Sequence, residues 1–248
     1  MIRAVLFDYG GTLVRMERSW GEVKADAIRS EYQVIRRKGL GLGYEEYLKL
    51  NDSIFKRYAE VEAAEDRDIP DITKYRDILK EVFPGQPRPW REKMAVVANG
   101  AFWKIVTKNL TLMDGARPTL KRLKSEGLRM AVVSNHHNAD SLVGHLTSLR
   151  ISRYFSYILA SSQVKFRKPD PRIIERSLAA LRIDRSEAVF VGDSLEFDVE
   201  GARRAGLKSI LIAARPTSFG GVSAGAGPDF IVGGLAGIPD VLSSMRPG

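Results

Sequence analysis

Residues 5–13 read Val-Leu-Phe-Asp-Tyr-Gly-Gly-Thr-Leu, a short apolar run that ends abruptly in an acid and a glycine-rich turn. Apolar runs of this length, bounded by turn residues, are typical of buried strands. The turn places the carboxylate of Asp8 at the carboxyl edge of a sheet, where open α/β folds bind ligands. The sequence therefore predicts a strand that presents Asp8 as a candidate nucleophile.

The chain beyond residue 114 alternates short apolar runs with helical patterns. Strands that alternate with helices form parallel sheets, so the pattern indicates an α/β fold. A Gly-, Ala- and Ser-rich segment at 220–228 predicts a flexible surface loop. The apolar runs occupy residues 129–133, 157–160, 188–191, 209–212 and 230–232.

A different periodicity separates the first strand from the later ones. Residues 19–107 carry a helical pattern broken by Gly and Pro, which predicts an all-helical insert. We therefore expect residues 1–14 and 114–248 to form one sheet-centred core and 15–113 to fold as a separate domain. Short linkers should let this domain move, with hinges near 14–15 and 113–114. The predicted helices span 20–38, 44–63, 72–83 and 90–108.

Composition limits the possible chemistry. The 248 residues are 44% hydrophobic, enough for a substantial core, but no stretch approaches the roughly 18 consecutive apolar residues of a membrane span. The first residues run directly into a strand without a signal-peptide pattern, so we expect a cytoplasmic protein. The absence of cysteine excludes disulfides, thiolate metal sites and cysteine nucleophiles. Carboxylate ligands remain, and they favour Mg²⁺.

The formal net charge of +9 suggests an anionic partner. Lys and Arg are interspersed with acids rather than gathered into a block with interleaved aromatics, so the pattern does not favour nucleic acid. The chain also lacks the GxxxxGK[ST] pattern of a phosphate-binding loop. We expect a small anionic substrate, no membrane partner, and either a monomer or a homodimer.

Four motifs of this chain resemble, in order, those of the haloacid dehalogenase-like hydrolase superfamily. They are residues 7–13, 133–135, 168–171 and 191–202. The resemblance covers the core and leaves only the insert unmatched. It implies a Rossmann-like doubly wound sheet with a helical cap. Similar proteins hydrolyse phosphate esters through an aspartyl phosphate, or remove halide from short 2-halo acids through an aspartyl ester.

The resemblance implies a role for each matched position. Asp8 would attack phosphorus, which divides one difficult displacement into two easier ones. Lys168 would keep Asp8 ionised and offset charge on the transferring group. Ser134, just before a predicted helix, would donate its hydroxyl to a phosphoryl oxygen, helped by the helix N-terminus. Asn135, Gly10 and Gly11 are further substrate-binding candidates, and Thr12, Ser194 and Asp198 are supporting residues.

Asp193 separates the two chemistries of this family. The carboxylates of Asp8 and Asp193 and the carbonyl of Gly10 are the hard oxygen ligands that Mg²⁺ prefers. Asp198 is expected to bind a coordinated water or to hold Lys168. Metal-free dehalogenases of the family usually carry Asn where this chain has Asp193, so the acid favours a metal. Two carboxylates would repel a phosphoryl group without a cation, which links Mg²⁺ to phosphoryl chemistry.

Gly10 departs from the pattern of similar phosphatases, which place Asp there to protonate the leaving alkoxide. General acid–base catalysis contributes about 10²- to 10⁴-fold, so alkyl phosphates should react slowly. The substrate would then be an acyl or aryl phosphate, or the proton would come from the cap, Tyr9, His136 or His137.

Three functions therefore stay open. The first is a slow or specialised Mg²⁺-dependent phosphohydrolase acting on a small phosphorylated metabolite. The others are a 2-haloacid dehalogenase and a catalytically weakened phosphate-binding module. Specificity in capped members comes from the insert, where the aromatic candidates are expected to pack the helices more often than to face the site. The candidates are Arg15, Arg18, Trp20, Tyr44, Tyr47 and Trp103.

Overall fold

The computed structural model of the chain describes residues 1–65, 67–213 and 227–245. Most of the loop predicted at 220–228 therefore lies outside the described residues. Among the helices described, none is both long and apolar enough to cross a membrane. The described strands are β1 (Ala4–Phe7), β2 (Val14–Met16), β3 (Leu110–Leu112), β4 (Arg129–Ser134), β5 (Tyr157–Ala160), β6 (Ala188–Gly192), β7 (Lys208–Ile212) and β8 (Phe230–Val232).

Six of these strands form one parallel sheet in the order β5-β4-β1-β6-β7-β8. The first strand lies in the middle because the chain returns to it from both sides, with β4 against one edge and β6 against the other. The strand order reverses at this position, and ligands of open α/β sheets bind in the crevice at such a switch point. The carboxyl end of β1 is therefore the expected site.

Helices cover both faces of the sheet. Successive residues of a strand point to opposite faces, so Phe7 packs with Leu120 and Leu142 on one face, whereas Leu6 packs with Ile174 and Ala202 on the other. The doubly wound α/β fold predicted from the sequence is confirmed. The helices of this part are α5 (Ala116–Ser125), α6 (Ala139–Ser148), α7 (Ser161–Val164), α8 (Pro171–Leu181), α9 (Glu200–Ala205) and α10 (Ile238–Ser244).

Four helices lie between β2 and β3, within one or two residues of the predicted bounds. Their apolar faces form a separate buried cluster, to which Ile35, Ile78 and Phe102 belong. This cluster shares no fully buried residue with the two clusters of the sheet. We call this helical segment the cap. Its helices are α1 (Trp20–Arg36), α2 (Tyr44–Glu65), α3 (Asp71–Val82) and α4 (Arg88–Lys108).

The two linkers of the cap pair with each other as a short antiparallel ribbon. Val14 lies opposite Leu112 in this ribbon, and the Met113 amide donates to the Leu13 carbonyl at 2.9 Å. Arg15 adds an exposed ion pair to Asp114, at 3.3 Å. The insert predicted to be wholly helical therefore has a two-stranded base. Hinge motion near these residues stays a prediction, and the ribbon would make both linkers move together.

The loop before α3 and the first residue of that helix contact the core through polar groups. The Ser161 hydroxyl donates to Asp68 Oδ2 at 3.0 Å, and the Asp71 amide donates to the His137 carbonyl at 3.2 Å. His137 Nδ1 lies 2.9 Å from Asp68 Oδ1. Burial lowers the pKa of His137, but the hydrogen bond to Asp68 and the negative charges of Asp71 and Asp68 together outweigh it, and the net pKa is raised. This contact joins cap to core and favours the protonated histidine.

The His137 contact should make stability depend on pH. Because the folded-state pKa is raised, the stabilisation is complete below the ordinary histidine pKa of about 6.5 and is lost as pH rises through the raised value. We expect the melting temperature of the His137→Gln variant to fall less than that of the wild type between about pH 6 and about pH 9. Parallel pH profiles of the two proteins would contradict this expectation.

Candidate active site

A buried charge cluster lies at the carboxyl end of β1. Lys168 Nζ donates to Asp8 Oδ1 at 2.6 Å and to Asp198 Oδ1 at 2.7 Å. All three side chains are buried, with Lys168 only 1% exposed. The sequence predicted that these residues would meet, although only Asp8 directly follows a strand. Lys168 lies in the loop between α7 and α8, and Asp198 lies in a π-helical turn, Leu195–Val199.

Negative groups outnumber positive ones in this cluster, because three carboxylates face one ammonium group. Burial raises the pKa of Asp8 to about 7, and the negative charges of Asp198 and Asp193 add to this effect. Lys168 acts in the opposite direction, through its charge and its hydrogen bond. Burial would lower the pKa of Lys168, but its two carboxylate partners raise it overall, so the lysine stays charged.

Asp198 is held by hydrogen bonds on both of its oxygens. Its Oδ1 accepts from Lys168, while Oδ2 accepts from the backbone amides of Asp193, at 3.1 Å, and Ser194, at 3.0 Å. Added to Gly192, a Cβ would lie 2.3 Å from Asp198 Cγ, so this close approach requires glycine. Asp198 therefore orients both Lys168 and the turn that carries Asp193.

Asp193 is exposed and approaches the turn after β1. Thr12, which is fully buried, donates its hydroxyl to Asp193 Oδ1 at 3.3 Å. Gly11 has a φ of +81°, and a Cβ there would lie 2.1 Å from Asp193 Oδ2. A Cβ added to Gly10, by contrast, would meet no described atom within 4 Å. Gly11 is thus required by the position of Asp193, whereas Gly10 leaves open space.

The acidic groups suit a hard cation. Ligand atoms of Asp8, Asp193 and Asp198 lie within 4.8 Å of one another. Carboxylate oxygens at this spacing are what Mg²⁺ prefers. Both oxygens of Asp198 are already engaged, so Asp8 and Asp193 are the better direct ligands. A divalent cation would also offset the repulsion that raises the pKa of Asp8.

Ser134 is the last residue of β4 and Asn135 follows it, but the expected helix does not begin there. It starts at Ala139, with Asn138 as its N-cap, so the helix N-terminus is four residues beyond Ser134. The side chain of Asn135 donates to the Lys168 carbonyl at 2.9 Å and accepts from the Lys168 amide at 2.7 Å. Asn135 therefore positions the loop of Lys168, a contact that its sequence position did not reveal.

The three side chains considered as replacement acids are poorly suited to that role. Tyr9 is hydrogen-bonded to His145, and burial and then the charge of Asp8 raise its pKa. Burial lowers the pKa of His136 to about 3, so its imidazole is neutral. His137 lies in the contact between cap and core, where it pairs with Asp68.

A cavity of about 530 Å³ lies above Asp8, between core and cap. The core lines it with the predicted site residues other than Gly11 and Thr12, and with Arg167 and Phe197, which sequence reasoning missed. The cap helices line it with Trp20, Trp103 and Val106, and the ribbon at their base adds Met16 and Leu110. The four other cap candidates are engaged elsewhere: Arg15 pairs with Asp114, Arg18 pairs with Asp26, Tyr44 packs on Tyr32, and Tyr47 donates to Glu31.

The fold and the site together define a class of protein. It is a doubly wound α/β protein with an acidic crevice at the switch point of its sheet. A sequence model described as haloacid dehalogenase-like hydrolase matches residues 2–206. The chain therefore belongs to the haloacid dehalogenase-like hydrolase family, and the resemblance found in its four motifs is confirmed.

Individual relatives are similar at modest identity. "Haloacid dehalogenase-like hydrolase domain-containing protein 3" of Mus musculus is 27% identical over 213 residues, covering 86% of this chain and 82% of that protein. Glyceraldehyde 3-phosphate phosphatase of Methanopyrus kandleri is 28% identical over 214 residues, covering 86% and 84%. The solved structure of a 2-haloacid dehalogenase from Pseudomonas syringae pv. Tomato has a TM-score of 0.72 at 22% identity, covering 99% and 100%. This last likeness concerns the fold.

Proposed function

We propose that this hydrolase is a Mg²⁺-dependent phosphohydrolase that acts on small phosphate monoesters through an aspartyl phosphate. The observation that carries the proposal is the acidic cluster, in which Asp193 approaches the buried Asp8 and Lys168. Lys168 offsets only part of the negative charge of the three carboxylates, so a phosphoryl group would be repelled strongly without a further cation. The phosphatase names of relatives such as the Methanopyrus kandleri protein support the same chemistry.

Each residue of the cluster has a proposed task. An oxygen of Asp8 attacks phosphorus, and the bond from phosphorus to the ester oxygen breaks. Lys168 neutralises charge on the transferring group, while Ser134 donates a hydrogen bond to a phosphoryl oxygen. Water then attacks phosphorus, which releases phosphate and restores the carboxylate. Bound by Asp8, Asp193 and the Gly10 carbonyl, Mg²⁺ would supply positive charge at the phosphoryl oxygens.

A release assay tests the proposal against its alternatives. We expect phosphate release from aryl, acyl or alkyl phosphates with Mg²⁺ and little release after chelation. The Asp193→Asn variant should bind Mg²⁺ more weakly in calorimetric titration, and equal affinity would count against the metal site. Chloride release from 2-chloropropionate without metal would instead support a dehalogenase. Phosphate binding with no turnover of any ester would indicate a binding module.

The neighbouring glycines offer a matched pair of variants for the metal site. Gly11→Ala should displace the Asp193 carboxylate and weaken Mg²⁺ binding about 10- to 100-fold, the usual cost of disturbing a ligand's support. Gly10→Ala should leave Mg²⁺ binding unchanged, because its Cβ meets no described atom within 4 Å. Calorimetric titration measures both. Similar losses in the two variants would show that the Asp193 contact is not the cause.

The missing acid at Gly10 should make the rate depend steeply on the leaving group. Without protonation, negative charge accumulates on the departing oxygen, so rates should fall sharply as the leaving-group pKa rises. Gly10→Asp should flatten this dependence and raise activity on alkyl phosphates by about 10-fold or more. The chemical-step rates of an aryl and alkyl phosphate series measure the slope. Similar wild-type rates across the series would mean that another group supplies the proton.

A further inference from the structure

The cap wall of the active-site cavity is apolar throughout. Within the described residues, every cap side chain that lines the cavity is hydrophobic, the polar atom of tryptophan aside. The indole Nε1 of Trp103 is itself engaged, because it donates to Asp71 Oδ2 at 3.1 Å. A leaving group rich in hydroxyls or charge would lose its water against this wall and gain few hydrogen bonds from the cap.

Flat aromatic surfaces stand on both sides of the cavity. Trp20 is 50% exposed on the cap side, and Phe197 lines the core side. Trp103 lies against His136 of the core, with ring centroids 4.3 Å apart at an angle of 33°. Aromatic rings bind such surfaces through area burial and through offset or edge contacts. The wall therefore suits an aromatic group better than a polyhydroxylated one.

The glycine at position 10 leads independently to the same kind of leaving group. A phenol has a pKa of about 10, as tyrosine does. An alkyl alcohol is closer to water, at about 15.7. A phenoxide can therefore leave without the proton that Gly10 cannot deliver. Open space beside Gly10, with no described atom within 4 Å of a Cβ, also leaves room for a ring near the bond that breaks.

We propose that the preferred substrates are apolar aryl phosphate monoesters, whose ring binds between the cap tryptophans and Phe197. This inference rests on the proposed function and specifies its substrate class. In the reaction, an oxygen of Asp8 forms a bond to phosphorus as the bond to the aryl oxygen breaks. The electron pair leaves with the phenoxide, which takes a proton from water. A second water then releases phosphate from Asp8.

Two phosphonates separate recognition of the ring from the chemistry of leaving groups, because neither can be hydrolysed. With Mg²⁺ present, we expect phenylphosphonate to bind the wild type about 10-fold more tightly than 2,3-dihydroxypropylphosphonate, as measured by calorimetry. Trp20→Ala and Trp103→Leu should each reduce this ratio by about 3- to 10-fold. Because Trp20 is half exposed, its replacement should disturb the packing of the cap little.

Trp90→Leu is the matched control, since Trp90 packs on Phe83 within the cap, at 5.1 Å between centroids, away from the cavity. It should leave the ratio unchanged. Equal or tighter binding of the dihydroxypropyl compound would overturn the aryl assignment while leaving phosphate hydrolysis intact. If neither phosphonate binds and no ester releases phosphate, the proposed function itself fails, and the aryl assignment fails with it.

Discussion

Replacing Asp8 with Asn is expected to reduce phosphate release by at least about 10⁴-fold, because the attacking atom is lost. The amide oxygen is a poor nucleophile, and the residues that directly follow Asp8 in the turn carry no carboxylate that could replace it. Steady-state phosphate release with a good aryl leaving group, at saturating Mg²⁺, measures the loss. A variant with more than about one hundredth of the wild-type rate would rule Asp8 out as the nucleophile.

The same substitution should not unfold the protein, which makes the loss interpretable. Because the folded-state pKa of Asp8 is raised from 3.8 to about 7, Asp8 lowers the stability of the fold as the pH rises between these two values when no cation is bound. The contribution of Asp8 is favourable below its unfolded pKa and is lost as pH rises. We therefore expect the Asn variant to melt no lower than the wild type at alkaline pH.

Oxygen-18 distinguishes the two routes through Asp8. If water attacks phosphorus, a single turnover in labelled water places the label in the released phosphate. If water attacks the carboxyl carbon, as in an aspartyl ester route, the label enters Asp8 and is found there by peptide mass spectrometry. The proposed phosphohydrolase predicts label in phosphate alone.

Replacing Lys168 with Met is expected to have the largest effect on stability. The substitution leaves the buried Asp8 and Asp198 carboxylates without their cation, and removing one partner from a buried ion pair costs about 3 to 5 kcal/mol. Activity should fall with it, because the same ammonium group faces the transferring phosphoryl group. Urea denaturation and phosphate release measure the two effects separately.

The loss of stability in Lys168→Met should depend on pH, and it should be specific to this buried lysine. Acid protonates the carboxylates, so the stability difference between Lys168→Met and the wild type should shrink as pH falls. The control Lys49→Met replaces an exposed lysine, and its stability should change by less than about 0.5 kcal/mol. Equal midpoints for Lys168→Met and the control would contradict the buried cluster.

The local pattern of the sequence was sufficient for the architecture. The strands after β3, the four cap helices and the doubly wound sheet follow from the spacing of apolar residues. Whether an element is buried on one face or on both decides the positions at which apolar residues recur. The family follows from four short motifs in order. The meeting of Asp8 with Lys168, 160 positions apart, was also expected, since the family resemblance implied that this lysine keeps Asp8 ionised, but Lys168 reaches it from the loop between α7 and α8 rather than from a strand end.

The sequence did not predict the ribbon of β2 and β3 or the contact of the loop before α3 with the core. A three-residue strand such as Val14–Met16 carries too few side chains to show a period, and its partner lies on the far side of the whole helical insert. The contact of His137 with Asp68 is likewise formed between two loops, whose course depends on packing rather than on local propensity. The division into core and cap and the hinge positions stay predictions.

The sequence by itself determined the sheet, because hydrophobic periodicity and turn chemistry are local properties, and its four motifs determined the family and, through the resemblance, the acids expected around Asp8. Only the tertiary structure decided how those residues are used. It turned Asn135 toward the Lys168 loop, engaged both oxygens of Asp198, and brought Trp20, Trp103 and Phe197 to one cavity. The physical reason is that side-chain direction and cap placement depend on contacts between residues far apart in the chain.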